Sequence, residues 1–235
     1  MSGHSKWSTI KHKKGVEDAK RSKIFSRIAK AIMVAVQNGD TDPETNSALK
    51  LAISQAKKAN MPKDNIERAM KKGSGADAVQ IEEVTYEGMG PGGAAMIITC
   101  ATDNTNRTLT DVKTALKKNN GKFVPSGSVS FQFDYVGYIS IVPTDPEEAE
   151  LTAIELDAQD VFEENNNLII ITQPTQLHKI LTGLEKNTKS INEAKLVYNP
   201  TQTVTLNDTD KETYQALYNV IEELDDVTEI FDNVA

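Results

Sequence analysis

The sequence predicts a multi-domain α+β protein, and three observations along its 235 residues support this fold class. Helical periodicity dominates residues 16–73. Strand patterns and helices then alternate, and they include one complete β-α-β-β-α-β series. A further helix and strand follow that series without a sheet of their own. We therefore predict an N-terminal three-helix domain and two ferredoxin-like α+β domains, the third inserted into the second.

The chain begins with a basic segment. Residues 1–14 show no apolar periodicity, so we expect a flexible basic arm there. A helix is predicted from Val16 to Gln37, with an apolar stripe that faces a core. This stripe consists of Ile24, Ile28, Ala31, Ile32 and Ala35. A basic stripe at spacings of three and four should face outward, away from the apolar one. It consists of Lys20, Lys23, Arg27 and Lys30.

Two shorter helices complete a helical domain that we place at residues 15–73. The stretch from Asn46 to Ala59 is amphipathic. Pro62 suits the first turn of the next helix, because its fixed φ is helical and its missing N–H has no partner there. Gly73 is typical of a helix C-terminus. The short Gly-bearing stretch that follows, residues 73–78, is predicted to be a linker.

The next segment predicts a discontinuous α+β domain at residues 79–135 and 203–235. Strands are expected at 82–86 and 94–101, around a Gly-rich hairpin turn. A helix capped within residues 103–106 runs to Asn119. The alternation of Val129, Phe131 and Phe133 predicts a half-buried strand at 128–133. The final helix and strand of this domain are predicted at 211–224 and 227–232.

The β-α-β-β-α-β series forms a domain of its own, residues 136–202. Its order is that of ferredoxin-like domains, in which two helices cover one face of a four-stranded antiparallel sheet. The expected strands are 137–142, 160–163, 167–172 and 193–198, and the expected helices are 146–156 and 174–186. Because the helix and strand after this series need a partner sheet, we assign both to the sheet that begins before Tyr135.

Charge is distributed very unevenly. Residues 1–72 contain 16 basic and seven acidic residues, a net charge of +9, whereas the remainder contains ten basic and 27 acidic residues, a net charge of −17. Such asymmetry points to a polyanionic partner, because phosphates attract clustered Lys and Arg and release counterions when they bind. The alternative interpretation is a solvated helical face. Contact with nucleic acid should be concentrated on the first domain.

Several other classes of protein find no support in the sequence. No stretch approaches the ~20 apolar residues that span a bilayer, and we expect a cytoplasmic protein. Cys100 is the single cysteine and has the setting of a buried strand thiol. The three histidines, His4, His12 and His178, lack zinc-ligand spacing, and no nucleophile elbow is present. We predict no enzyme activity, no metal, no cofactor and no small-molecule substrate.

Some features leave two interpretations open. The Gly-rich run at 88–93 resembles a phosphate loop, but a strand follows it and Pro91 removes one donor, which favours a tight turn. Asp103 and Arg107 fit either a polar site or capping with surface pairing. Trp7 is either a staple onto the helical domain or a base-stacking residue. The acidic residues of 145–164 either bind a basic protein or maintain solubility.

Several motifs resemble those of the YebC/PmpR family, which includes a mitochondrial translational activator of cytochrome oxidase subunit I. The matching motifs are Gly3-His4-Ser5-Lys6-Trp7, Ile10-Lys11-His12-Lys13-Lys14, Asp18-Ala19-Lys20-Arg21-Ser22-Lys23-Ile24-Phe25, Tyr86-Glu87-Gly88, Gly90-Pro91-Gly92-Gly93, Asp103-Asn104 and Asn106-Arg107-Thr108. The resemblance implies a helical first domain, two α+β domains and no catalytic residues. It also implies a cytoplasmic regulator of gene expression, either a DNA-binding transcriptional regulator or a ribosome-associated factor that relieves stalling.

Physical reasoning favours the translational role. A flexible basic arm with one aromatic residue suits irregular or single-stranded RNA, whereas duplex specificity usually needs an element that enters a groove. The predicted partners are DNA, ribosomal or transfer RNA, and the ribosome. No contact with a membrane is predicted. The predicted contacts are Lys6, Trp7, Lys11, Lys13, Lys14, Lys20, Arg21, Lys23, Arg27 and Lys30. The alternative is a protein adaptor that acts through the acidic C-terminal domains.

Overall fold

Over the residues that the structure describes, the chain forms seven α-helices and eight β-strands. The computed structural model describes the backbone of residues 5–75 and 78–235, and the side chains of residues 21–46, 48–75, 78–184 and 186–235. The helices are α1 (Ser5–Gln37), α2 (Ser47–Lys58), α3 (Lys63–Gly73), α4 (Thr105–Lys118), α5 (Pro146–Glu155), α6 (Leu177–Gly183) and α7 (Asp208–Glu222). The strands are β1 (Glu82–Met89), β2 (Ala95–Thr102), β3 (Lys122–Val124), β4 (Phe133–Pro143), β5 (Asp160–Glu164), β6 (Asn167–Thr172), β7 (Thr188–Pro200) and β8 (Val227–Asp232).

The strands form two four-stranded sheets. One has the order β5-β6-β4-β7, which is the ferredoxin-like order expected for a β-α-β-β-α-β series. The other has the order β3-β1-β2-β8, so the last strand of the chain returns to a sheet begun before the series. The predicted α+β class and the insertion are therefore confirmed. This other sheet begins with two successive strands, β1 and β2, joined by the Gly-rich turn, so its element order differs from that of the inserted sheet.

The chain forms two compact units. The first comprises Met1–Thr85, Ile98–Ala115 and Tyr218–Glu229, and the second comprises Tyr86–Ile97, Leu116–Leu217 and Ile230–Ala235. In the first unit, α1 packs against α2 and α3. The buried residues of this three-helix core are Ile28, Ile32, Ala35, Val36, Leu49, Ala52, Ala56, Met61, Ile66 and Ala69. The domain boundaries given above stay predictions.

Helix α1 differs from its prediction in two ways. It begins at Ser5 rather than Val16, so residues 5–14 are helical and the irregular backbone expected for the arm is wrong there. The absence of an apolar stripe was weak evidence against a helix, because a helix that is polar all round needs none. The apolar stripe is also displaced. Ile24 is 48% exposed and Ala31 is also exposed. The buried side of α1 is centred on Phe25, Ile32 and Val36, which lie roughly 100° around the helix from Ile24 and Ala31.

The strand predicted at 128–133 is the clearest error in the α+β part. Residues Ser130–Gln132 form a 3-10 turn, β4 begins only at Phe133, and Phe131 is 74% exposed. The cause is a tertiary contact, because the N–H groups of Val129 and Ser130 donate to the buried carboxylate of Glu87 instead of pairing with a strand. The prediction also missed β3, which has three residues, and the division of 174–187 into α6 and two flanking 3-10 turns.

Cys100 is buried on β2, as its apolar neighbours predicted, and is 1% exposed. Burial raises the pKa of its thiol to about 12, and the nearby negative charge of Asp226 adds to the effect while Lys30 opposes it. Since the thiolate is the reactive form, we expect no reaction of the native protein with a thiol reagent at pH 8. Reaction should appear only in urea, and the urea concentration at which it appears should coincide with the unfolding transition. A stoichiometric reaction without denaturant would contradict this burial.

Among the described helices, none combines the length and apolarity needed to cross a membrane.

Candidate nucleic-acid interface

The basic stripe of α1 contacts the C-terminal end of α7 within the first compact unit. Lys23 Nζ lies 2.5 Å from Glu223 Oε2 and also donates to the Glu223 carbonyl oxygen. Arg27 Nη2 donates to the carbonyl oxygen of Glu222 at 2.7 Å. Lys30 Nζ donates to Asp226 Oδ1 at 2.6 Å and to the Asp225 carbonyl oxygen at 3.0 Å. Three cations of one helix thus surround the end of another.

These contacts complete the C-terminus of α7. The last carbonyl groups of a helix lack intrahelical partners and carry partial negative charge, so cations stabilise them. The last turn of α7 contains no basic residue, and α1 supplies the cations instead. The outward presentation predicted for Lys23, Arg27 and Lys30 is therefore wrong. The Lys23 and Lys30 side chains are only 21% and 17% exposed. Within the described part of the chain, Arg27 Nε is buried and finds no acceptor.

Asp226 is the centre of a larger polar cluster. Its residue is 8% exposed, and Oδ2 accepts hydrogen bonds from Thr108 Oγ1 at 2.7 Å, Arg107 Nη2 at 2.9 Å and Thr102 Oγ1 at 3.1 Å. With Lys30 on Oδ1, both carboxylate oxygens are engaged. A buried carboxylate that is paired and fully hydrogen-bonded is a stable arrangement, whereas the loss of any one partner is costly. Asp226 thus joins α1, α4 and the end of β2.

The electrostatics of this cluster follow from its contacts. Burial raises the pKa of Asp226, but the hydrogen bonds from Lys30, Thr108 and Arg107 and the charge of Lys30 lower it more, so it lies well below its usual range. Hydrogen bonds from Arg107 to Asp226 and Asp103 raise the pKa of the guanidinium. Both groups are therefore charged throughout the physiological range. The cluster has no group that exchanges a proton near neutral pH.

The residues from Asp103 to Thr108 have a structural role in this cluster. Asn104 Oδ1 accepts the backbone N–H of Arg107 at 3.0 Å and caps α4, and Arg107 Nη2 lies 2.7 Å from Asp103 Oδ1. Capping and pairing thus account for Asp103 and Arg107, one of the two interpretations that the sequence left open. Asp226 was not predicted from the sequence, because 119 residues separate it from Arg107 and no spacing rule connects them.

A cleft of about 360 Å³ lies beside this cluster. It is lined by Arg107, Thr108, Asp111, Glu223, Leu224, Asp225 and Asp226. Four carboxylates face one guanidinium there, so the cleft repels phosphate. Among the described side chains, no group of three His, Cys, Asp or Glu residues is placed to hold a metal ion.

The structure divides the ten predicted contact residues into three groups. Arg21 is exposed on α1 and available to a partner. Lys23, Arg27 and Lys30 bind the end of α7. The side chains of Lys6, Trp7, Lys11, Lys13, Lys14 and Lys20 lie outside the described residues, although their backbone belongs to α1. The staple and stacking interpretations of Trp7 therefore both stay open.

Comparison with known proteins covers nearly the whole chain. The model of the TACO1/YebC N-terminal domain matches residues 5–76, and the model of the TACO1/YebC second and third domain matches residues 81–234. A protein of Aquifex aeolicus is 45% identical over 99% of this chain and 95% of its own length, and one of Kosmotoga olearia is 43% identical over 99% and 94%. Both are named probable transcriptional regulatory protein.

A solved structure is also similar. The crystal structure of a conserved hypothetical protein from Aquifex aeolicus matches with a TM-score of 0.81 and 41% sequence identity. The match covers 93% of this chain and 91% of that protein. The similarity therefore includes the helical part and both sheets.

Proposed function

The chain belongs to the TACO1/YebC family, and from this premise we propose that it is a non-enzymatic nucleic-acid-binding regulator of gene expression. The observation that carries the proposal is the charge of residues 1–72, +9 in a chain whose net charge is −8. The names of the relatives, probable transcriptional regulatory protein, support a nucleic acid as the partner. Phosphate attraction and counterion release supply the affinity.

We place the contacts on the N-terminal part of α1. Lys23 and Lys30 already pair with Glu223 and Asp226, and Arg27 donates to the Glu222 carbonyl oxygen, so these three side chains are engaged within the protein. The remaining predicted contacts precede them in the chain, and Arg21, the one with a described side chain, is exposed. Lys6, Trp7, Lys11, Lys13, Lys14, Lys20 and Arg21 are therefore proposed to contact nucleic acid.

The salt dependence of binding tests this placement. Replacing Lys11, Lys13 and Lys14 together by Gln should reduce the slope of log Kobs against log salt concentration by about 2 on single-stranded RNA, since each lost phosphate contact removes roughly 0.7. The measurement is fluorescence anisotropy of a labelled oligonucleotide at several salt concentrations. The triple variant Lys186→Gln, Lys189→Gln and Lys211→Gln removes the same charge from the acidic part and should leave the slope unchanged. Equal slopes for both variants would place the contacts elsewhere.

We further propose that the regulation acts in translation, on ribosomal or transfer RNA. A basic segment with one tryptophan suits unstacked bases of RNA, and electrostatic contact alone would also retain duplex DNA at low salt. Crosslinking and sequencing of nucleic acid in cells, with the full chain and with a variant that lacks residues 1–14, distinguishes a role in translation from one in transcription. Ribosomal or transfer RNA that depends on residues 1–14 supports translation. Discrete promoter DNA without a ribosomal signal would instead make the protein a transcriptional regulator.

A further inference from the structure

One segment of the acidic part of the chain is strongly basic. Between Asp111 and Asp134 the sequence contains four lysines and no acid, although the chain after residue 72 has a net charge of −17. The lysines are Lys113, Lys117, Lys118 and Lys122, and all four side chains are exposed. Four of the ten basic residues after residue 72 thus lie within 22 consecutive positions. Such segregation from the surrounding acids indicates an anionic partner.

Three of these lysines lie close together in the second compact unit. Lys117 and Lys118 are in the last turn of α4, and a tight turn, in which Gly121 N donates to the Leu116 carbonyl oxygen at 2.8 Å, leads directly to Lys122 at the start of β3. Strand β3 is at the edge of its sheet, paired to β1 alone. Among the described residues, Lys117, Lys118 and Lys122 form no ion pair. Their charges are therefore directed at solvent.

The loop that leaves β3 is held in place by a buried carboxylate. Glu87 is 4% exposed and lies opposite Val124 on the neighbouring strand. Its carboxylate accepts the backbone N–H groups of Gly127 at 2.6 Å, Val129 at 2.7 Å and Ser130 at 3.1 Å. Hydrogen bonds to a charged acceptor are about twice as strong as neutral ones. The loop therefore has a defined conformation rather than a range of them.

Phe131 follows this anchor immediately and is 74% exposed. On its other side, the carbonyl oxygen of Gln132 accepts hydrogen bonds from Thr201 N at 2.8 Å and Thr201 Oγ1 at 3.0 Å. The apolar neighbours Val129 and Phe133 are 1% and 7% exposed and belong to the core. An aromatic ring is thus presented to solvent between two fixed points. Because the backbone on both sides is held, binding of a partner to this ring costs little backbone entropy.

We propose that Lys117, Lys118, Lys122 and Phe131 form a second nucleic-acid contact, which binds the phosphate backbone and stacks one unpaired base of single-stranded RNA. The chemistry is that of single-strand binding, in which lysines follow the backbone and an exposed aromatic ring stacks on a base. An RNA duplex can contact the lysines through its phosphates but cannot stack on Phe131, because its bases are already paired and stacked. The proposal rests on the proposed function and adds a contact in the α+β part of the chain.

Variants of the full chain test the stacking. Phe131→Ala should weaken binding of a fluorescein-labelled oligouridine RNA about tenfold, since the stacking on one base is lost, and should leave binding of an RNA duplex of equal length unchanged. Phe131→Trp should retain the affinity for the single strand. Leu151→Ala removes another exposed apolar side chain, 61% exposed on acidic α5, and should change neither value. Equal binding of the oligouridine by Phe131→Ala and the native protein would overturn the stacking.

The charged half of the contact has its own readout. Replacing Lys117, Lys118 and Lys122 together by Gln should reduce the salt slope of single-strand binding by about 2. If the native chain binds oligouridine and these variants bind it equally well, while the Lys11, Lys13 and Lys14 variant binds less well, the second contact is refuted and the proposed function stands. If the native chain binds neither single-stranded RNA nor duplex, the proposed function itself fails. The proposal is also refuted if a protein partner binds through Phe131 while Phe131→Ala binds RNA as well as the native chain does.

Discussion

Replacing Asp226 by Asn should lower the free energy of unfolding by about 3 kcal/mol, measured by urea denaturation at pH 7. The carboxylate is 8% exposed and accepts hydrogen bonds from Lys30, Arg107, Thr102 and Thr108. The neutral amide leaves Lys30 without its counter-charge, leaves Arg107 with Asp103 alone, and turns one acceptor into a donor. Asp225→Asn is a matched control, because Asp225 is exposed and contributes its carbonyl oxygen to Lys30. Equal destabilisation by the two variants would contradict a central role for Asp226.

The same residue predicts an acid dependence of stability. The pKa of Asp226 is lowered in the folded protein, so its contribution is fully present above the unfolded value of about 3.9 and is lost as the pH falls from there toward the folded value. The native protein should therefore lose stability steeply below about pH 4. The Asn variant should show a shallower loss. Parallel pH profiles for the two proteins would show that Asp226 is not responsible.

Glu87→Gln should lower the free energy of unfolding by about 2 kcal/mol, because all three backbone N–H groups lose a charged acceptor and at least one of them loses its acceptor altogether. It should also speed hydrogen exchange of the Val129 and Ser130 amides, since the anchor of the loop is weakened. Glu83→Gln removes an exposed carboxylate from the same strand and serves as the control. Unchanged exchange in the Glu87 variant would show that other contacts hold the loop.

The pKa of Glu87 has the same direction as that of Asp226. Burial raises it, but the hydrogen bonds from Val129, Gly127 and Ser130 lower it more. The stability that Glu87 contributes is therefore present above its unfolded pKa of about 4.3 and is lost as the pH falls. The Gln variant should lack this part of the acid dependence. Because Glu87 and Asp226 share no partner, the effects of the two variants should add.

Three of the family motifs, Tyr86-Glu87-Gly88, Asp103-Asn104 and Asn106-Arg107-Thr108, have structural roles. Glu87 organises the loop around Phe131, and Asn104, Arg107 and Thr108 cap α4 and bind Asp226. The Gly-rich turn between these motifs joins β1 to β2, as its chemistry predicted, and Gly92 adopts a φ of 66° that favours glycine. Motif recognition could identify these positions, but their partners lie in distant parts of the chain.

Local patterns predicted much of the fold. Strands β6 and β8 have the predicted bounds, and Asn46 caps α2 through Leu49 N at 3.0 Å, because alternation, helical periodicity and cap chemistry depend on neighbours in sequence. The order of elements was sufficient to predict the inserted ferredoxin-like sheet. One error occurred where backbone groups bond outside their own element. The segment before β4 resembled a strand, yet Glu87 accepts its N–H groups.

The sequence by itself determined the fold class, the inserted series of elements and the separation of a +9 segment from a −17 remainder. Only the tertiary structure decided which charges are available to a partner. The basic residues of α1 form a helical stripe by sequence, but Lys23, Arg27 and Lys30 bind residues 222–226. Periodicity predicts an apolar side of a helix because apolar residues recur at helical spacing, although on α1 it wrongly included Ile24 and Ala31. It does not show what the polar side contacts, because an ion pair joins residues without regard to their separation in sequence.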